Sequence, residues 1–279
     1  MLILAEKFGY LPAWLFGTFF IFMRYLIMAG LLFLVLYYIR PVRIRKWKIQ
    51  KSTPGATRIF SEIGHSLSTA FIFALIGIGL AFLRQHGYTL IYQDITGYGL
   101  AWIPVSFVLL VLLHDTYFYW VHRLIHRPPL FRILHKVHHQ SHNPTPWAAL
   151  SFHPLEAFLE IAIVPIAAFI IPFHPLVLLA FASWSLIWNV IGHAGYELFP
   201  SGFSNHPVFK WFNTSTHHNM HHTRSRGNYG LYFNFWDRIM GTNFPDYEQT
   251  FEAVKQEQSP LGKSASRRSK ETSLNAKTA

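Results

Sequence analysis

Neutral imidazole offers a nitrogen lone pair to a metal or a proton near neutral pH, and this chain carries 17 histidines and no cysteine. Most fall in three short clusters: His122 and His126 in HRLIH, His135, His138 and His139 in HKVHH, and His217, His218, His221 and His222 in HHNMHH. Residues at i, i+3 and i+4 share one face of a helix. His122 with His126, His135 with His138 and His139, and His218 with His221 and His222 would therefore each aim their rings in a single direction. Three such faces converging would bind metal. A lone histidine is more often a surface or capping residue, and His65, His86, His174 and His206 are read that way.

Imidazole suits iron, zinc, copper or nickel, and spacing does not choose among them. The number of ligands is more telling. A structural zinc is closed by four ligands and a catalytic zinc usually takes three from the protein, so this many histidines imply two metal ions. Acidic neighbours extend the candidate set. His114 and Asp115 lie toward the end of an apolar helix, where an ionisable group is costly and usually functional. Asp115 is expected to orient an imidazole, because ligating rings commonly donate their second N–H to a carboxylate; His114 lies on roughly the face of His122, to touch the metal or support it. His153, Glu156 and Glu160 share a helical face and either orient ligands or form a polar rim. Asp115, His153 and Glu156 are the candidate catalytic residues. Asn228, Tyr229 and Asp237 follow the third cluster and suit a turn and helix start at least as well as catalysis.

The elements that must position these residues are apolar helices. The chain has 279 residues, 51% hydrophobic and only 13% charged, against about 25% charged in average soluble domains. Apolar stretches of spanning character run over 11–39, 64–83, 99–121, 155–171 and 175–191. Arg24 interrupts the first, Pro165 kinks the fourth, and the last two meet at Pro172-Phe-His-Pro175, so they form either a full hairpin or two half-inserted helices. No cleavable leader is expected ahead of the first stretch. The linker 40–58 holds Arg40, Arg43, Arg45, Lys46, Lys48, Lys51 and Arg58 without an acid. It is assigned to the cytoplasmic side by the positive-inside rule, and counting crossings then brings all three histidine clusters to that same face. The net charge of +11 is explained by anionic lipid headgroups rather than by nucleic acid. The expected architecture is all-α: an integral membrane bundle of four to five apolar segments under a cytoplasmic histidine-rich cap holding a dinuclear metal site. Its divisions are N-terminal membrane helices to residue 105, a catalytic region 106–250 and a disordered, polar tail 251–279.

The run HDTYFYWVHRLIHRPPLFRILHKVHH, the stretch TPWAALSFHPLE, the segment IWNVIGHAGYE and the closing THHNMHHTRSRGNYGLYFNFWDRIMGT together resemble the fatty acid hydroxylase / sterol desaturase superfamily of integral-membrane di-iron oxygenases. Within it the pattern is most similar to the sterol C-5 desaturase (lathosterol oxidase) branch and its bacterial relatives. The resemblance covers about residues 106–242. It implies metal ligation by His122, His126, His135, His138, His139, His218, His221 and His222, with His193 as a further ligand and His217 as the candidate tenth. Adjacent residues on a helix point about 100° apart, so His217 beside His218 needs a distorted turn. The resemblance also implies two iron ions, for which zinc can substitute in purified protein, and dioxygen as co-substrate.

Two functions of different class follow. The first is an oxygenase that hydroxylates or desaturates a lipid, whether sterol, fatty acyl or alkyl lipid, since a metal site at the mouth of an apolar bundle suits a substrate rising from the bilayer. With no nucleotide-binding glycine fingerprint and no haem motif, electrons must come from a partner. The resemblance implies a b-type cytochrome or a ferredoxin with its reductase, at the endoplasmic reticulum in a eukaryote or the inner membrane in a bacterium. The second is a non-enzymatic membrane zinc carrier or sensor; a transporter, however, would place ligands near the bilayer midplane on broken helices, whereas these collect beyond helix ends.

Overall fold

The computed structural model describes residues 2–39 and 42–256; Arg40, at the start of the basic linker, and the polar segment 257–279 lie outside the described residues. Among the described residues the regular elements are helices, with three isolated β-bridges: Lys48 to Tyr196, Ile91 to Phe173 and Phe212 to Phe233.

Among the described residues, four helices are long and apolar enough to cross a membrane: Tyr10–Ile39, Ala56–Gln85, Trp102–Ile125 and Pro175–Gly192. They cover the expected stretches 11–39, 64–83 and 175–191, the second starting eight residues earlier, while the third is shifted from 99–121 to Trp102–Ile125. The first widens into a π-type turn over Leu34–Ile39. Large apolar side chains such as Phe19, Leu31, Val108 and Ile187 are exposed on these helices. That surface suits lipid contact and fits a membrane protein.

The stretch 155–171 is not one continuous long helix. It divides at Ala162 into Pro154–Ile161 and Ile163–Ile170, of 8 residues each, about 12 Å apiece. Pro165 has no N–H to give the Ile161 carbonyl, so the ladder breaks there. Leu90 and Tyr92, in the loop after the second long helix, donate backbone hydrogen bonds to Ala168 and Phe173 and pin the pair in place. Both Pro154 and Pro175 start their helices at a position that needs no N–H. His153 and His174 cap them, accepting from the N–H groups of Leu155 and Leu176.

The core joins the third and fourth long helices to the short pair through Leu110, Phe118, Ala167 and Phe181. A second apolar cluster packs the first two long helices, through Tyr25 and Ile72, against the turn Pro146–Leu150. Tyr25 donates to the Trp147 carbonyl across it at 2.7 Å. Ordered structure continues past residue 250: the helix Tyr247–Gln256 buries Tyr247 and Phe251 against Met220. The polar tail expected from residue 251 therefore begins no earlier than the end of this helix, which Tyr247 and Phe251 dock.

Candidate metal centre

All three histidine clusters meet beyond one end of the long helices. His122 is on the last turn of Trp102–Ile125 and His126 caps that helix. His135, His138 and His139 sit on the following short turns, His193 caps Pro175–Gly192, and His218, His221 and His222 lie on Ser215–Arg224. Thr214 starts this last helix by accepting from the His217 N–H.

Their rings sort into two groups, His122, His126, His135, His139 and His221 in one, and His138, His193, His218 and His222 in the other. Within each group one nitrogen per ring lies within 4.8 Å of all the rest. The inward atoms are Nε2. In the first group His122 meets His135 at 3.0 Å and His139 meets His221 at 3.0 Å. In the second, His193 lies 3.0 Å from His218 and 3.1 Å from His222. The sorting cuts across the clusters: the neighbours His138 and His139 serve different groups, as do His221 and His222, as the 100° step between adjacent helical residues requires.

The outward nitrogens fix the tautomers. Nδ1 of His122, His193 and His221 reaches the carbonyls of Tyr229, Asn189 and Gly227 at 2.8, 2.7 and 2.8 Å. A carbonyl only accepts, so each Nδ1 carries the hydrogen and each Nε2 presents a bare lone pair to its group. Burial lowers the pKa of His193 and His221 to about 4 and holds His138, His139, His218 and His222 well below the ordinary imidazole value. Neutral lone pairs converging at 3 Å with no proton to share repel one another, and a cation at each focus removes that repulsion. The residues fit two metal ions, and an all-imidazole donor set suits iron or zinc.

Of the other expected site residues, Glu156 is placed to orient a ring: its Oε1 accepts from His135 Nδ1 at 2.5 Å with both groups buried. Burial pushes the Glu156 carboxyl above the usual carboxylate range. Asp115 does not contact an imidazole. Its Oδ1 accepts the backbone N–H groups of Tyr232 and Phe233 at 2.8 and 3.2 Å, so it holds the loop whose Tyr229 carbonyl orients His122. His153 faces away as a helix cap. His114 bonds the Tyr232 hydroxyl at 2.7 Å and belongs to neither group.

His217 is also outside both groups. Its ring packs edge-on against Tyr247 and its Nε2 lies 3.9 Å from Asp237 Oδ2, the direction to which one helical step from His218 turns it. Asp237 in turn accepts the N–H groups of Tyr229 and Gly230 at 2.8 and 2.7 Å. A side chain at Gly230 would collide with the Phe233 carbonyl, so only glycine lets this loop close over the histidines. Two further carboxylates brace the site. Glu62 accepts from Ser141 at 2.7 Å, two residues past His139, and Glu197 accepts the Thr216 N–H at 2.9 Å. An acid just ahead of an apolar stretch is a signal in itself, and Glu62, two residues before 64–83, could have been found by it.

An apolar cavity of about 430 Å³ opens between the long helices on the membrane side of the histidines. Phe118, Phe152 and Asn189 line it, and each touches a histidine: Phe118 stacks near His122, Phe152 near His138, and the Asn189 carbonyl holds His193.

Residues 107–242 match the fatty acid hydroxylase family model. The chain is 28% identical over 201 residues to a Delta(7)-sterol 5(6)-desaturase of Gibberella zeae, covering 71% of this chain and 61% of that protein. Lathosterol oxidase of Homo sapiens is 34% identical over 171 residues, covering 61% and 56%. A Delta(7)-sterol 5(6)-desaturase of Schizosaccharomyces pombe is 31% identical over 187 residues, covering 67% and 59%. The chain thus spans about three fifths of the length of the curated relatives it matches. No solved structure matches it. The region that matches the fatty acid hydroxylase family model contains all nine converging histidines.

Proposed function

We propose that the chain is a membrane-bound oxygenase that hydroxylates or desaturates a lipid C–H bond with dioxygen and externally supplied electrons. The observation that carries this reading is the pair of imidazole groups, five and four strong, set against the inner end of an apolar cavity. The sterol desaturases and the lathosterol oxidase among its relatives favour a lipid substrate.

In this reading the nine grouped histidines hold two iron ions, which when bound supply the activation of dioxygen that no side chain can provide. The chain's own part is positioning. The Tyr229, Asn189 and Gly227 carbonyls hold three rings in the ligating tautomer, and Glu156 makes His135 a stronger donor. Phe118 and Phe152 exclude water between substrate and metal. His217, packed between Tyr247 and Asp237, supports the third cluster from behind. Electrons arrive from a small b-type cytochrome or ferredoxin-like donor docking at the basic, cytoplasmic face.

The test is lipid analysis of cells with and without the chain, grown under labelled dioxygen. An oxygen-dependent hydroxylated or desaturated lipid is expected, and its loss in His139→Ala and His222→Ala. Unchanged turnover in both variants would remove the shared site from the chemistry.

A further inference from the structure

Two arginines line the cavity, Arg84 in the last turn of the second long helix and Arg24, and proximity to the histidines explains neither. Arg24 lies in the middle of the first long helix. The guanidinium donates to Ser183 Oγ at 2.9 Å and lies 5.6 Å from the Phe20 ring. Among the described residues no carboxylate pairs with it, although Glu160 lines the same cavity. An arginine within a spanning helix is expensive and marks function when it faces a cavity. One hydroxyl leaves most of its five N–H donors uncommitted.

Its distance from the reacting end can be read along the fourth long helix. Ser183 precedes His193 by about ten residues, which at 1.5 Å per residue is about 15 Å, the length of roughly a dozen extended methylenes. The cavity runs along this path, from Pro175 and Leu178 past Ala182 to Asn189, whose carbonyl holds His193. A fully apolar molecule would leave the guanidinium in hydrocarbon with only the Ser183 hydroxyl as partner. A sterol oxidised in its second ring carries its hydroxyl only a few bonds from the reacting carbons, so that hydroxyl would lie against the histidines and the hydrocarbon tail would meet Arg24. An acyl chain with an anionic head satisfies both ends. A planar guanidinium matches a carboxylate or phosphate with paired hydrogen bonds.

We propose that Arg24, tethered by Ser183, is the headgroup anchor of the substrate cavity, selecting a long-chain lipid with an anionic head about a dozen carbons from the oxidised position. The proposal rests on reading the histidine groups as the reacting end. It distinguishes this chain's substrate from the sterols named for its relatives.

Equilibrium binding tests it, with the iron-loaded full chain in lipid nanodiscs and palmitate, palmitoyl lysophosphatidate and cholesterol as probes. Palmitate or lysophosphatidate is expected to bind more tightly than cholesterol, the preferred one identifying the head as carboxylate or phosphate. Arg24→Gln should weaken that binding by roughly ten- to a hundredfold, the scale of charge-assisted hydrogen bonds, with little change for cholesterol. Preference for cholesterol, or anionic-lipid affinity unmoved in R24Q, overturns the proposal. If R24Q does not assemble, Ser183→Ala keeps the cation but frees its tether: a severalfold loss is expected, and an unchanged affinity overturns the anchor. Arg24-dependent binding without any oxygen consumption would leave the anchor standing and remove the oxygenase reading. Oxygen-dependent product with R24Q-insensitive binding would remove the anchor alone.

Discussion

The two histidine groups are built to different rules. The five-histidine group has a half-buried member, His126, and an acidic support, Glu156, behind His135. In the four-histidine group every ring is buried, and the outward contacts of His138 and His193 go to the neutral carbonyls of Ser151 and Asn189. A site with a spare ligand, a more open edge and a carboxylate that strengthens one donor can change its coordination. A closed four-ligand site has no member to give up. Under the function proposed above, the more open edge makes the first group the one placed to exchange and the second the more enclosed holder.

Removing a ligand from each side separates these roles most strongly. His222→Ala should lose its metal outright, leaving about one ion per chain, because a four-ligand site has no reserve. His126→Ala should keep most of both ions while losing turnover, since four imidazoles remain in its group. Metal analysis of the two variants side by side checks the contrast, and equal loss would erase it. Glu156→Gln comes next. Loss of carboxylate support behind a ligand costs about 10- to 100-fold in affinity or activity, and a metal titration should place that loss in the five-histidine group alone. Asp115→Asn acts at a distance, through the Tyr232 and Phe233 N–H groups. It should cost on the order of 1–3 kcal/mol of stability and leave metal content intact, as thermal melting with metal analysis would show.

A separate effect appears in acid. His193 and His221 have folded pKa values near 4 against about 6.5 in the unfolded chain, so between those values the unfolded state binds more protons. Stability of metal-stripped protein should therefore fall as pH drops from about 6.5 toward 4, by on the order of 1 kcal/mol per histidine per pH unit. Melting curves that stay flat from pH 7 to 5 would contradict the neutral, buried state of these rings.

Much of the site was legible from spacing. The i, i+3 and i+4 sets brought eight of the nine grouped histidines forward, and His193 followed from family resemblance. The division into two groups was also latent in the adjacent pairs His138-His139 and His221-His222, whose members must diverge. The same geometry turns His217 away from His218. What sequence could not carry was closure by loops. Asp115 and Glu156 both suit an imidazole partner on local grounds, yet which one meets a ring depends on how the loop after the third cluster folds back, a contact between Asp115 and Tyr232 across more than a hundred positions. The short helices over 154–170 show a similar limit: composition marks the stretch as apolar, but Pro165 breaks it into two helices and the hydrogen bonds from Leu90 and Tyr92 hold its far end.

The central claim, two metal sites of unequal build sharing one cap, is tested most directly by counting metal in the full chain purified without added zinc. About two irons per chain are expected in the native protein, falling to about one in His222→Ala. A single ion per chain in the native protein, or two that persist in His222→Ala, would contradict it.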